Sequence, residues 1–193
     1  MKMRLIADMM LGRLARWLRL YGYDTLYGIE EDDEILRIAG EESRILLSRD
    51  EELVKRARKL GIRAVLIGSN SLEEQIRELR REGFEFAELF PANARCPKCN
   101  GAIRPAEKAE VRGRVPESVY QKYSEFYVCT KCGQIYWPGR QWREMLRIDR
   151  KIRQGDTGKC PKHKGKRKTK PSTAEQFDGF PHVGVCLPHR REH

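Results

Sequence analysis

Apolar positions in the first ninety residues switch repeatedly between a compact run and a helical period. "MRLIAD" reads as a short buried strand, after which Leu11, Leu14, Ala15, Leu18 and Tyr21 recur at helical spacing and Gly22 ends the helix. "DTLYG" predicts a second strand, and Asp32 to Ala39 a helix with Ile35, Leu36, Ile38 and Ala39 apolar. "RILLSRD" predicts the third strand, "EELVKRARKLG" a helix and "AVLIG" the fourth strand. "SLEEQIRELRREG" reads as a helix opened by Ser71 and Glu74 in capping-box spacing, and "FEFAELF" as a fifth strand. Strands alternating with helices imply an α/β fold, a mostly parallel sheet covered by helices. In such sheets ligands bind at the carboxyl ends of the strands.

The rhythm then breaks. Pro91 to Arg95 reads as a linker, and a second module runs from Cys96 to about Arg150, with "EFYV" and "QIYW" strand-like. After Asp149 the pattern fades into a segment rich in Lys, Gly and Pro. The expected organisation is an α/β domain over 1–90, a small β module over 91–150 and a basic tail over 151–193.

Two acids fall where that sheet would bind a ligand. Asp8 ends the first strand and Asp50 follows the third. Asp32 shares a helical stripe with Ile35, Leu36 and Ala39, which should face the sheet, whereas Asp33 is rotated toward solvent. Three converging carboxylates repel unless a cation lies between them, and hard oxygen ligands suit Mg²⁺ or Mn²⁺. The expected catalytic and metal-binding acids are therefore Asp8, Asp32 and Asp50. The chemistry is water activation and stabilisation of a leaving oxygen in phosphodiester hydrolysis. Ser48 is placed to hydrogen-bond a carboxylate, and Asn70 lies at the same edge. The plain structural reading of each acid is a helix cap. Asp24 precedes the second strand, at the opposite edge, and reads as a turn residue.

Six cysteines change the picture of the second half. Cys96-x₂-Cys99 and Cys129-x₂-Cys132 form paired knuckles, each able to grip one side of a tetrahedral zinc. Two disulfides are the competing reading, disfavoured in a chain expected to be cytoplasmic. Four thiolates close the coordination sphere, so this metal should be structural. In the tail, Cys160-x₂-His163 and Cys186-x₂-His189 could hold a second zinc, or the tail could be a flexible basic segment.

Charge adds a partner. The net charge is +11, but residues 1–90 carry 16 basic and 18 acidic side chains, so the positive field belongs to the second half. Clustered Lys and Arg suit RNA phosphates. Arg13, Arg16 and Arg19 on the first helix, and Lys98, Lys131 and Arg140 around the knuckles, are the candidate contacts, interleaved with Tyr127, Tyr136 and Trp137. Solvated outer faces, and a small aromatic core for the module, are the alternatives. No run of 18 apolar residues predicts a membrane span, and no signal-peptide pattern opens the chain.

"LIADMMLGRLARWLRLYGYD", "DDEILRIA", "ILLSRD", "RCPKCNGAIRP" and "EFYVCTKCGQIYWPGRQW" together resemble the Mut-seven C-terminal RNase domain family, over roughly residues 3–147. These are PIN-like nuclease domains with an appended zinc ribbon. The resemblance implies a PIN-like sheet followed by a small β zinc ribbon, metal-dependent RNA cleavage, and Asp8, Asp32 and Asp50 as the metal site. Where such proteins usually read Ser-His-Trp, this chain has Arg140-Gln141-Trp142, and the fourth acid common in PIN domains is not evident.

The sequence thus predicts a metal-dependent endoribonuclease whose ribbon holds RNA. The alternative is a non-catalytic RNA- or ribosome-binding protein on a nuclease-like scaffold. A phosphatase with an aspartyl nucleophile is disfavoured, because Met9-Met10 follows Asp8 and no second acid stands two residues on.

Overall fold

The computed structural model describes residues 3–89 and 93–154. Four parallel strands form the main sheet: β1 (Arg4–Ala7), β2 (Asp24–Leu26), β3 (Ile45–Ser48) and β4 (Ala64–Leu66), in the order β2-β1-β3-β4. Four helices alternate with them: α1 (Gly12–Leu20), α2 (Asp32–Glu41), α3 (Glu51–Lys59) and α4 (Leu72–Arg81). Each forms because its apolar residues recur at helical spacing and bury one stripe against the sheet.

Side chains alternate across the pleat, so the sheet has two buried faces. Leu5, Ala7, Ile45, Leu47 and Val65 pack with α1 and α4, while Ile6, Leu46 and Ala64 pack with α2 and α3. Neighbouring strands β1 and β3 are thus followed by helices on opposite faces. That divergence makes their carboxyl ends a topological switch point, the place where doubly covered sheets bind ligands. Gly22, at φ 84°, lets the chain leave α1 in a left-handed turn that Ser or Ala would resist.

"FEFAELF" differs from expectation. Phe84, Phe86 and Leu89 are buried in the α1/α4 core, but the described residues 84–89 make no strand pairing. Its alternation reflects aromatic packing instead. Phe86 meets Tyr21 and Tyr23 edge-on at 4.9 and 5.8 Å.

A three-stranded antiparallel sheet follows: β5 (Ile103–Ala106), β6 (Phe126–Cys129) and β7 (Ile135–Tyr136), with β6 in the middle. Val111, Phe126, Val128 and Ile135 form its small core, on which the short helix α5 (Glu117–Lys122) places Val119 and Tyr120. The chain then returns to the first core. Helix α6 (Arg140–Gln154) buries Ile152 completely among the α1/α4 residues. Its Asp149 accepts hydrogen bonds from Tyr21 Oη at 2.6 Å and Arg153 Nε at 2.8 Å. Burial first, then the Asp149 hydrogen bond and charge, push the Tyr21 hydroxyl far above its usual range. No helix among the described residues is long and apolar enough to cross a membrane. Cys160, His163, Cys186 and His189 lie outside the described residues.

Candidate functional site

Asp8, Ser48 and Asp50 meet at the carboxyl ends of β1 and β3. Register places Ala7 beside Leu47, so the next residues, Asp8 and Ser48, meet at the strand ends. Asp8 is only 6% exposed, and burying a carboxylate is costly unless its oxygens are hydrogen-bonded. Its Oδ1 accepts from the Met10 N–H at 2.9 Å, capping the 3-10 turn over Met9–Leu11. Its Oδ2 accepts from the Ser48 hydroxyl and from the Arg49 N–H at 2.9 Å. A carboxylate has about four lone-pair sites, so Asp8 keeps room for one further partner.

Ser48 carries the connection onward. Its Oγ donates to Asp8 and accepts from the Asp50 N–H at 2.9 Å. Asp50 Oδ1 caps α3, accepting from the N–H groups of Glu52 at 2.7 Å and Leu53 at 3.2 Å. Its Oδ2 has no hydrogen-bond partner among the described residues. One carboxylate is buried and fixed, the other exposed and half free, and a single hydroxyl ties the first to the backbone of the second.

Asp32 stands outside this chain. Ile35, Leu36 and Ala39 face the sheet as their spacing predicts. Asp32, however, lies in the first turn, 48% exposed, with Oδ2 3.5 Å from Arg56 Nη1. Arg56 also pairs with Asp33. The guanidinium supplies the positive charge that the sequence pattern left open. Asn70 is exposed.

The four cysteines do converge. The Sγ atoms of Cys96, Cys99, Cys129 and Cys132 lie within 4.8 Å of one another, the group of this kind found among the described residues that could hold one ion. Cys96 and Cys132 are 3.7 Å apart, and Cys99 and Cys129 3.4 Å. A tetrahedral zinc with bonds of about 2.3 Å needs sulfurs about 3.8 Å apart, near the spacing of these two pairs. Gly101 is part of the fit: a Cβ there would lie 2.7 Å from Lys131 Cβ and 2.9 Å from Cys129 Sγ. Burial pushes the Cys99 thiol up to about 12. Burial opposes ionisation of Cys129 too, but the N–H groups of Cys132 and Lys131 bring it down to about 7. The arrangement is consistent with a zinc ribbon.

Two residues whose joining role the sequence pattern did not mark connect the knuckles to the main sheet. Asn100, at φ 65° in the first knuckle, accepts from the Thr25 N–H at 3.1 Å and donates to Asp24 at 2.8 Å. It thereby pairs with the open edge of β2. Asp24 is a junction rather than a turn residue. It also takes Arg44 at 2.9 Å, with Arg4 and Arg95 within 3.8 Å. Burial opposes its ionisation, but Arg44, Asn100 and Arg95 together hold its carboxyl below the usual value.

Arg19 is the second joint. Grouped by sequence with the phosphate-binding candidates, it is instead buried, donating to the carbonyls of Thr25 and Pro97 at 2.9 Å each. Burial lowers its affinity for a proton, and the charges of Cys96 and Cys99 partly restore it.

Between α1 and the small sheet runs a cleft of about 750 Å³. Arg13, Arg16 and Lys98 line it, bringing together three of the predicted RNA contacts. Tyr127, Tyr136 and Trp137 line it too, although Trp137 also packs on the ribbon core and Tyr136 Oη lies 3.0 Å from Cys96 Sγ. Lys131 and Arg140 are exposed elsewhere. Arg140 begins a basic face of α6 shared with Arg143, Arg147 and Arg150.

A family model described as Mut7-C RNAse domain matches residues 3–149. No curated protein and no solved structure matches the chain.

Proposed function

The chain belongs to the Mut7-C RNAse domain family, and on that premise we propose that it is a metal-dependent endoribonuclease whose chemistry lies at the carboxyl ends of β1 and β3. The observation that carries this reading is the hydrogen-bonded chain Asp8–Ser48–Asp50 at the point where α1 and α3 diverge. Asp8 and Asp50 would hold Mg²⁺ or Mn²⁺, through the spare lone pair of Asp8 and the free Oδ2 of Asp50. Asp32 would join them on releasing Arg56. Such an ion supplies charge to lower the pKa of water and to stabilise the leaving oxygen of a phosphodiester.

Ser48 fixes the orientation of the Asp8 carboxylate, in the manner of an outer-shell partner, and holds the backbone of Asp50 beside it. The ribbon, folded around zinc, would hold RNA beside this edge. Zinc is favoured over other ions because four thiolates on two C-x₂-C knuckles form a soft, closed, tetrahedral site. Thiols kept for a metal suit the reducing cytoplasm.

The pairing of Asp32 with Arg56 favours a second reading, a non-catalytic RNA-binding protein on this scaffold. One experiment separates the two. Wild type and Asp8→Asn are incubated with labelled structured and single-stranded RNA, with Mn²⁺, with Mg²⁺ and with neither. The nuclease reading expects internal cuts that need the added metal and vanish in the variant. Equal background in both proteins, with RNA still bound, supports the binding protein instead.

A further inference from the structure

We propose that the cleft between α1 and the small sheet is a track for single-stranded RNA, its phosphates held by Arg13, Arg16 and Lys98 and its unpaired bases stacked on the aromatic walls. The inference rests on the nuclease reading above and gives it a substrate class.

Charge is the first support. Arg13, Arg16 and Lys98 are exposed, and none has an ion-pair or side-chain hydrogen-bond partner among the described residues. Elsewhere the guanidinium groups of Arg4, Arg37, Arg44, Arg56, Arg104 and Arg153 are each held by a carboxylate. Three cations gathered on one cleft beside aromatic rings are available to phosphate without breaking any existing ion pair.

The walls are the second. Trp17, Tyr27, Tyr127, Tyr136, Trp137 and Trp142 line the same space. The chain has three tryptophans, and all of them lie here. A duplex hides its base faces and an A-form major groove is too narrow for side chains, so aromatic walls have no use for paired RNA. Unpaired bases stack on such rings at about 1–3 kcal/mol each, whatever their sequence.

Position is the third. Tyr27 donates its hydroxyl to the Met9 carbonyl at 3.3 Å, one residue beyond Asp8. Its ring lies so close over Gly12 that a Cβ there has no room. One end of the cleft therefore abuts the acidic edge, and the other reaches Lys98 in the first cysteine knuckle. A strand lying along it delivers its backbone to Asp8.

The test uses the full chain with no added Mg²⁺ or Mn²⁺, titrated with a uridine decamer and with a duplex of equal length. Tryptophan fluorescence and anisotropy are read at several salt concentrations. The single strand should quench the tryptophans and the duplex should leave them unchanged. In the triple variant R13A/R16A/K98A, binding should weaken at least about tenfold and the salt slope should fall by about 2, at roughly 0.7 per single-strand phosphate contact.

The proposal is overturned if the variant binds and quenches like wild type, if the single strand does not bind wild type, or if it binds without moving the fluorescence. These readings need no catalysis. A single strand bound in the cleft by a protein that never cuts RNA would sink the nuclease and keep the track. Metal-dependent cutting with normal binding in the triple variant would do the reverse.

Discussion

Arg19 on α1 donates a 2.9 Å hydrogen bond to the carbonyl of Pro97, inside the first cysteine knuckle. The same guanidinium reaches Thr25, and the Arg19 carbonyl accepts from the Arg95 N–H at 2.7 Å. The metal cradle and the helix that follows Asp8 are therefore one mechanical piece. Arg19→Met keeps the side-chain volume and strands the buried Thr25 carbonyl and the half-buried Pro97 carbonyl. Stability should fall by about 3 kcal/mol, read by urea unfolding, and bound metal should pass to a chelator faster. A variant that keeps wild-type values in both measurements would show that the joint carries no load.

Ser48→Ala removes the hydroxyl between Asp8 and Asp50 without touching either acid. Under the nuclease reading, loss of such an orienting partner should slow cleavage by about 10–100-fold and raise the Mn²⁺ it needs. Comparing the metal dependence of single-turnover rates in the two proteins decides the matter.

Arg56→Gln frees Asp32 from its ion pair. Under the nuclease reading the variant should reach half-maximal rate at a lower metal concentration than wild type. A metal requirement that stays put would remove Asp32 from the site.

Gly101→Ala sets a methyl group against Cys129 Sγ and Lys131. The purified variant should carry substoichiometric metal by elemental analysis, and Co²⁺ substitution should give a weakened thiolate charge-transfer band. Full loading would mean that the knuckles can part by several tenths of an ångström at little cost.

Asp24 gives stability a pH dependence. Its carboxyl is held below the ordinary value of about 3.9, so its contribution is complete above that value and is lost as pH falls through the lower, folded one. Urea midpoints of wild type and Asp24→Asn should differ most at neutral pH and converge below about pH 4. A gap that persists in acid would point to packing in place of charge.

Much of this was legible in the residues. Period changes located all four parallel strands and their helices, because burial on two faces leaves a strong pattern, and the C-x₂-C pairs fixed the cradle. "FEFAELF" misled because Phe84 and Phe86 alternate for aromatic packing, and period alone does not report pairing. Asp32 shares its stripe with Ile35 and Leu36, yet a helix's first turn can project past the sheet, where Arg56 takes its carboxylate. The joining roles of Arg19 and Asn100 carried no local signal. Their partners are 78 and 75 residues away, and only the assembled fold brings them together.

The return of α6 to the first core has a consequence for how the chain is made. Ile152 fills a space among α1 and α4, and Arg153 Nη2 reaches back to the Ala87 carbonyl at 2.5 Å. On the ribosome, the outer surface of α1 and α4 that Ile152 packs against therefore stays uncovered until the last turns of α6 have emerged. A nascent chain stopped inside the small sheet presents that greasy surface to whatever is near. Completion of folding is tied to completion of the cysteine module, so the acidic edge and its neighbouring cleft reach their finished form together.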